Sequence, residues 1–197
     1  MRDEVIASMD SDWARIAQTM GSEPPDGSPV WYQKQMAHHM VGPIAPDDIP
    51  GLTNAFLIRD PRRMAASYAR KRESVTADDL GLALQRAFFE RECDRLGYAP
   101  AVIDAADVLA NPAETLSSLC SALGIDWTDA MLSWPAGRHA EDGAWAPHWY
   151  GRVESSTGFE GEEDPDPVSL DQHLTAVAEA CWSDYEAMAK FRLGGNL

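Results

Sequence analysis

Three features of the chain predict an α/β fold built on a small parallel sheet flanked by helices. Two short apolar runs, Ala55–Ile58 and Ala101–Ile103, have the length and the branched or aromatic content of buried strands. The first stops at a charged turn, Arg59–Asp60–Pro61, and the second at Asp104, so each strand leads into a turn with an acidic residue. Around them lie several stretches whose apolar residues recur at helical spacing.

In chain order, residues 3–20 place Val5, Ile6, Met9, Trp13, Ile16 and Met20 on one helical face, with Gly21 as a stop. Residues 22–29 are a loop by composition. Val30–Gln33 has strand character and leads into Lys34, followed four and five residues later by His38 and His39. After Ala55–Ile58, Asp60 is a good N-cap and Pro61 suits the first helical position, so a helix is predicted to begin there. A strand, a tight turn and a helix make an anion-binding arrangement, because the first backbone N–H groups of a helix lack internal partners. Arg59 adds a permanently charged fork beside them. Ser67, seven residues past Asp60, lies close to two helical turns on, about 10 Å along the axis.

Thr76 is predicted to cap a helix of roughly twenty residues, 78–96, with Leu80, Leu84, Ala87 and Phe88 inward and Gly97 as its end. Asp104 stands where open α/β sheets place ligands, although capping the following turn is its commoner use. Asn111, Pro112 and Glu114 have the pattern of an N-cap, N1 proline and N3 acid, opening a helix to Leu123 that Gly124 closes. Residues 127–159 are dense in aromatics interleaved with Arg138, His139, His148 and Arg152. Leu170–Phe191 is a terminal packing helix with Leu174, Val177, Ala178, Cys181, Tyr185 and Met188 on one stripe.

At 197 residues the expectation is a single domain, 1–197. With 45% hydrophobic and 24% charged residues and no long apolar run, the composition is that of a soluble protein without a membrane span. The first twenty residues lack the apolar centre of a secretory leader, and Cys93, Cys120 and Cys181 are odd in number and far apart. Both point to a cytoplasmic chain with free thiols and no metal site. A net charge of −16 disfavours nucleic acid and anionic membranes as partners. Six of the sixteen Lys and Arg residues, at 59, 62, 63, 70, 71 and 72, nevertheless cluster within fourteen positions, which suits a small polyanionic ligand. The residue pattern sets no oligomeric state.

The segment from Asn54 to Arg72 resembles the 3′-phosphate-binding element of sulfotransferases that use 3′-phosphoadenosine 5′-phosphosulfate (PAPS). There a strand ends in Arg, Asn or Asp, then Pro, and a serine follows eight residues after the arginine; Arg59 and Ser67 have that separation. Residues 106–125 resemble the segment after the family's fourth strand. Residues 138–150 resemble the loop that covers the adenosine, with Arg138, Gly143 and Trp145 matching its arginine, second glycine and tryptophan, while its lysine and first glycine are replaced by His139 and Ala140.

The resemblance implies a P-loop-like three-layer fold and sulfuryl transfer from PAPS to a hydroxyl or amine of a small-molecule acceptor. It implies Arg59, Ser67, Arg138 and Trp145 at the nucleotide, His38 or His39 as the base, and Lys34 at the bridging oxygen. The family's Lys-x-His spacing is not kept, so the register of the base is open. No stretch matches the family's first strand and its phosphosulfate loop, nor does an ordinary P-loop signature occur. The resemblance therefore implies a chain lacking the central strand between Phe56 and Val102, by natural loss or a misplaced start. Those two strands then either close up or leave an unpaired edge. The alternative activity is a non-catalytic nucleotide- or anion-binding remnant.

Overall fold

The computed structural model describes residues 7, 8, 10–39, 49, 51–138, 143, 146, 150–159, 161 and 169–194, with His39 and Arg152 described in backbone only. Of the predicted helix over 3–20, residues 7 and 8 and Trp13–Met20 (α1) are helical among the described residues; α1 starts at Trp13 because Asp12 accepts from the N–H groups of Ala14 and Arg15, while Asp10 accepts from that of Asp12. Carboxylates that bond nearby backbone in this way favour a cap over a helix interior. Val30–Gln33, read as a strand, lies in neither helix nor ladder.

The strands β1 (Ala55–Ile58) and β2 (Ala101–Asp104) are parallel and pair directly, Phe56 opposite Val102 and Ile58 opposite Asp104. They have closed up, as one of the two expected outcomes. The result is a mixed, helix-rich α/β structure with a two-stranded parallel sheet. The outer edge of β2 is covered by the chain's own end: the Leu193 N–H donates to the Val102 carbonyl at 2.8 Å. At the outer edge of β1, the Gln85 side chain donates to the Leu57 carbonyl, also at 2.8 Å.

The reading of β1 as buried on both faces is corrected. Phe56 and Ile58 are buried, whereas Leu57 is 56% exposed. Helices cover β1 from one side, while β2 is additionally backed by a helix behind it. On the covered side α2 (Pro61–Ala69), α3 (Ala77–Leu80), α4 (Leu82–Leu96) and α8 (Gln172–Ala189) meet the sheet. Phe56, Ile58, Ala65, Leu80, Leu82, Phe89, Val102, Val177, Cys181 and Met188 form the core between them. Behind β2 lie α5 (Ala105–Ala110) and α6 (Pro112–Leu123); a short helix, α7, spans Gly151–Ser155.

The predicted twenty-residue helix is two helices. Thr76 caps the first through a reciprocal capping box with Asp79. Gly81 then takes φ +71°, a left-handed conformation that breaks the helix and restarts it at Leu82. The break resets the helical phase: Leu82 and Phe89 are buried, and Leu84, placed inward by the sequence reading, is 44% exposed, with Ala87 also exposed. Gly97 and Gly124 end α4 and α6 as expected. Asn111 precedes Pro112 but does not accept from the first turn; its amide donates to the Glu114 carboxylate instead.

Candidate functional site

The carboxyl ends of both strands converge, and the residues there come from α2, β2 and α8. Asp60 caps α2, accepting from the Arg62 N–H at 2.8 Å. The Arg62 guanidinium folds back on the same carboxylate through Nε and Nη2. It also lies over the Trp182 ring, 4.8 Å from its centroid. Trp182 packs on Tyr185, with ring centroids 5.5 Å apart. The Tyr185 hydroxyl donates to Asp104 at 2.7 Å, and Asp104 also caps α5 by accepting from the Ala106 N–H at 2.9 Å. Arg192 approaches Asp107 at 3.7 Å on the far side.

This network has a definite electrostatic character. Burial works against ionisation of Asp60, but the Arg62 side chain and backbone outweigh it and hold the carboxyl below its usual range. Burial first, and then the Asp104 carboxylate, push the Tyr185 phenol up, so it remains a donor. Asp104 is 2% exposed and has its oxygens occupied within the protein. The capping role, rather than ligand contact, is what the structure shows for it.

The anion-binding reading of the β1–α2 turn changes in one respect. Asp60 occupies the Arg62 amide and pairs with its guanidinium, so the first turn of α2 already faces a carboxylate. Arg72 is likewise engaged, donating to Asp79 at 2.8 Å and lying over Tyr68. Arg59, at the end of β1, and Ser67, further along α2, are both half-buried, and Arg59 also takes part in an interaction within the protein. Among the described residues, the Ser67 hydroxyl takes part in no hydrogen bond. A guanidinium fork and an uncommitted hydroxyl on one strand–helix unit fit a phosphate.

The other predicted residues lie on different elements. His38 sits in a 3-10 turn, Ala37–His39, with its ring over Gly81. Its Nε2 is 2.6 Å from the Asp78 carbonyl, which can only accept, so Nε2 carries the proton and Nδ1 is the nitrogen able to take another. The side chain of His39 lies outside the described residues. Lys34 is exposed and lines a groove of about 400 Å³ with Asp10, Ile16, Thr19, Met20 and Trp31, and no hydrogen bond among the described residues joins it to His38. Arg138 is exposed in a loop fixed to α7, where the Gly137 N–H donates to the Glu154 carbonyl at 2.8 Å. Beside it, Trp134 packs edge-on against Phe159 and donates to Ser156. Trp145 lies outside the described residues.

Sequence reasoning missed Arg62, Trp182 and Tyr185 as parts of this site. Tyr185 was legible only as one member of a packing stripe, and nothing local ties it to Asp104. Among the described residues no group of three or more His, Cys, Asp or Glu side chains could hold a metal ion, and no helix is long and apolar enough to cross a membrane. The cysteines are free.

A family model described as a sulfotransferase domain matches residues 1–191. The chain is 33% identical over 161 residues to branched-chain-amino-acid aminotransferase-like protein 1 of Arabidopsis thaliana, and 31% identical over 159 residues to protein 2 of the same name and organism. Each match covers 80% of this chain and 28% of the relative, so the chain spans under a third of the length of these curated relatives. No solved structure matches.

Proposed function

The chain belongs to the sulfotransferase-domain family, and from that premise we propose that it binds PAPS at the β1–α2 turn and transfers its sulfuryl group to a hydroxyl or amine of a small molecule. What supports the reading is that Arg59 and Ser67 are both half-buried on one strand–helix unit, with the Ser67 hydroxyl in no hydrogen bond among the described residues, in a family whose donor bears a 3′-phosphate. Arg59 supplies two parallel donors to the phosphate and Ser67 a third. The bound donor supplies an activated sulfuryl group with a good leaving group. The protein's part is then to position, to neutralise charge, and to take one proton from the acceptor. His38, through Nδ1, or His39 takes that proton. Arg138 and Trp145 belong to the proposal as contacts to the nucleotide, and the P-loop-like fold and cytoplasmic location belong to it as well. Lys34 is left out, because it lines the groove against α1. The aminotransferase-like names of the curated relatives are not carried over, since the match spans 28% of each.

A second reading has its own observation. In the family the phosphosulfate loop follows a strand lying between the equivalents of β1 and β2. Here those strands are hydrogen-bonded to each other along four residue pairs, from Ala55–Ala101 to Ile58–Asp104, which leaves no place for a strand between them. That favours a domain that holds the 3′-phosphate without transferring sulfate. Calorimetry with adenosine 3′,5′-bisphosphate together with a turnover assay on PAPS separates the two. Binding with turnover supports the transferase, binding without turnover supports the second reading, and no binding contradicts both.

A further inference from the structure

We propose that residues 30–36 are an edge at which two copies of this chain pair antiparallel, about a twofold axis through Gln33. The segment reads Val-Trp-Tyr-Gln-Lys-Gln-Met, rich in residues that favour strands. It lies in no ladder, and among the described residues its backbone makes no backbone–backbone hydrogen bond outside the 3-10 turn that follows it. One row of side chains anchors it to α1. Trp31 is half-buried, the Gln33 amide donates to the Met20 carbonyl at 2.9 Å, and the Gln35 amide lies 3.9 Å from the Met20 sulfur. The alternate row is exposed, with Val30 at 48%, Tyr32 at 83% and Met36 at 39%, and Lys34 exposed too, Tyr32 and Lys34 standing at the rim of the groove beside α1. A stretch outside any ladder among the described residues, bearing exposed apolar side chains, is a template for another strand.

The sequence itself identifies the strand. Reversed about Gln33, the exposed row complements itself. Val30 falls opposite the partner's Met36, an apolar pair, and Tyr32 falls opposite the partner's Lys34, an ammonium against an aromatic ring. Each contact occurs twice by symmetry, which is the requirement of an isologous interface. A single ribbon of this length is a small interface, so the pairing is weak and concentration-dependent.

Sedimentation equilibrium of the full chain, from about 5 to 500 µM at moderate salt, tests this. The expected result is a reversible monomer–dimer equilibrium. Tyr32→Lys sets lysine against lysine and abolishes the dimer, and adding Lys34→Glu to it restores the dimer by setting lysine against glutamate. Circular dichroism confirms that each variant is folded, which the exposure of both side chains favours. A wild-type chain that stays monomeric throughout, a dimer untouched by Tyr32→Lys, or a double variant that stays monomeric overturns the proposal. The readout is association, so it is independent of nucleotide binding and of turnover.

Discussion

The Tyr185 hydroxyl donates to the Asp104 carboxylate across 2.7 Å, tying the last helix to the end of β2 over 81 positions of sequence. Asp104 is 2% exposed, and its two oxygens accept from this donor and from the Ala106 N–H. Tyr185→Phe removes the donor and leaves a buried carboxylate under-bonded. The expected cost is about 1.5–3 kcal/mol, the range for a hydrogen bond to a charged group. Urea denaturation checks it: the midpoint falls while the slope stays constant. An unchanged midpoint shows that the bond contributes nothing to the fold.

His38 and Gly81 are a second pair whose identities depend on each other. A Cβ at position 81 would lie 2.6 Å from the His38 Cε1, and the φ of +71° is unfavourable for any side chain. Gly81→Ala is expected to destabilise by about 2–4 kcal/mol, combining backbone strain and overpacking. His38→Ala removes the obstructing ring, so the double variant is less destabilised than the sum of the two. A double-mutant cycle measures the coupling, and strict additivity means that the ring is not packed there.

Glu92 governs the acid limb. Its side chain is fully buried and accepts from Arg95 at 2.8 and 2.9 Å and from the Asn54 amide at 2.9 Å. The bonds from Arg95 chiefly, opposed by burial and aided by Asn54, hold its carboxyl below the ordinary value of 4.5. A carboxylate depressed in the folded state stabilises fully above its unfolded pKa and loses that contribution as pH falls through the folded one. Asp60, held below 3.8, acts in the same direction at somewhat lower pH. Stability is therefore expected to fall below about pH 4.5, and Glu92→Gln to flatten that fall while lowering stability at neutral pH. Urea midpoints from neutral to acidic pH check this, and parallel acid limbs for the two proteins contradict it.

The parts of the fold that were legible in the sequence are those fixed by neighbours. The Asp60–Pro61 helix start, the glycine stops at 97 and 124 and the two apolar runs each rest on residues within a few positions, and each appears in the structure. What depends on distant partners was not legible. Val30–Gln33 has strand composition, but a strand needs a neighbour and the chain supplies none among the described residues. The open side of Leu57 follows from which helices cover β1. The sequence reading ran one helix through Gly81, whose left-handed φ of +71° and contact with the distant His38 ring depend on the folded chain. At the site, the placing of Arg59 at the end of β1 and of Ser67 within α2 was readable from local spacing. The capture of Arg62 by Asp60, and of Asp104 by Tyr185, was not.

The central claim is that Arg59 and Ser67 hold one phosphate, and calorimetric titration of adenosine 3′,5′-bisphosphate into three proteins tests it most directly. The account predicts saturable binding to the wild-type chain, a loss of about 10- to 150-fold for Arg59→Lys, which keeps the charge but not the fork, and about 2- to 12-fold for Ser67→Ala. Equal affinity for all three, with each folded, contradicts it.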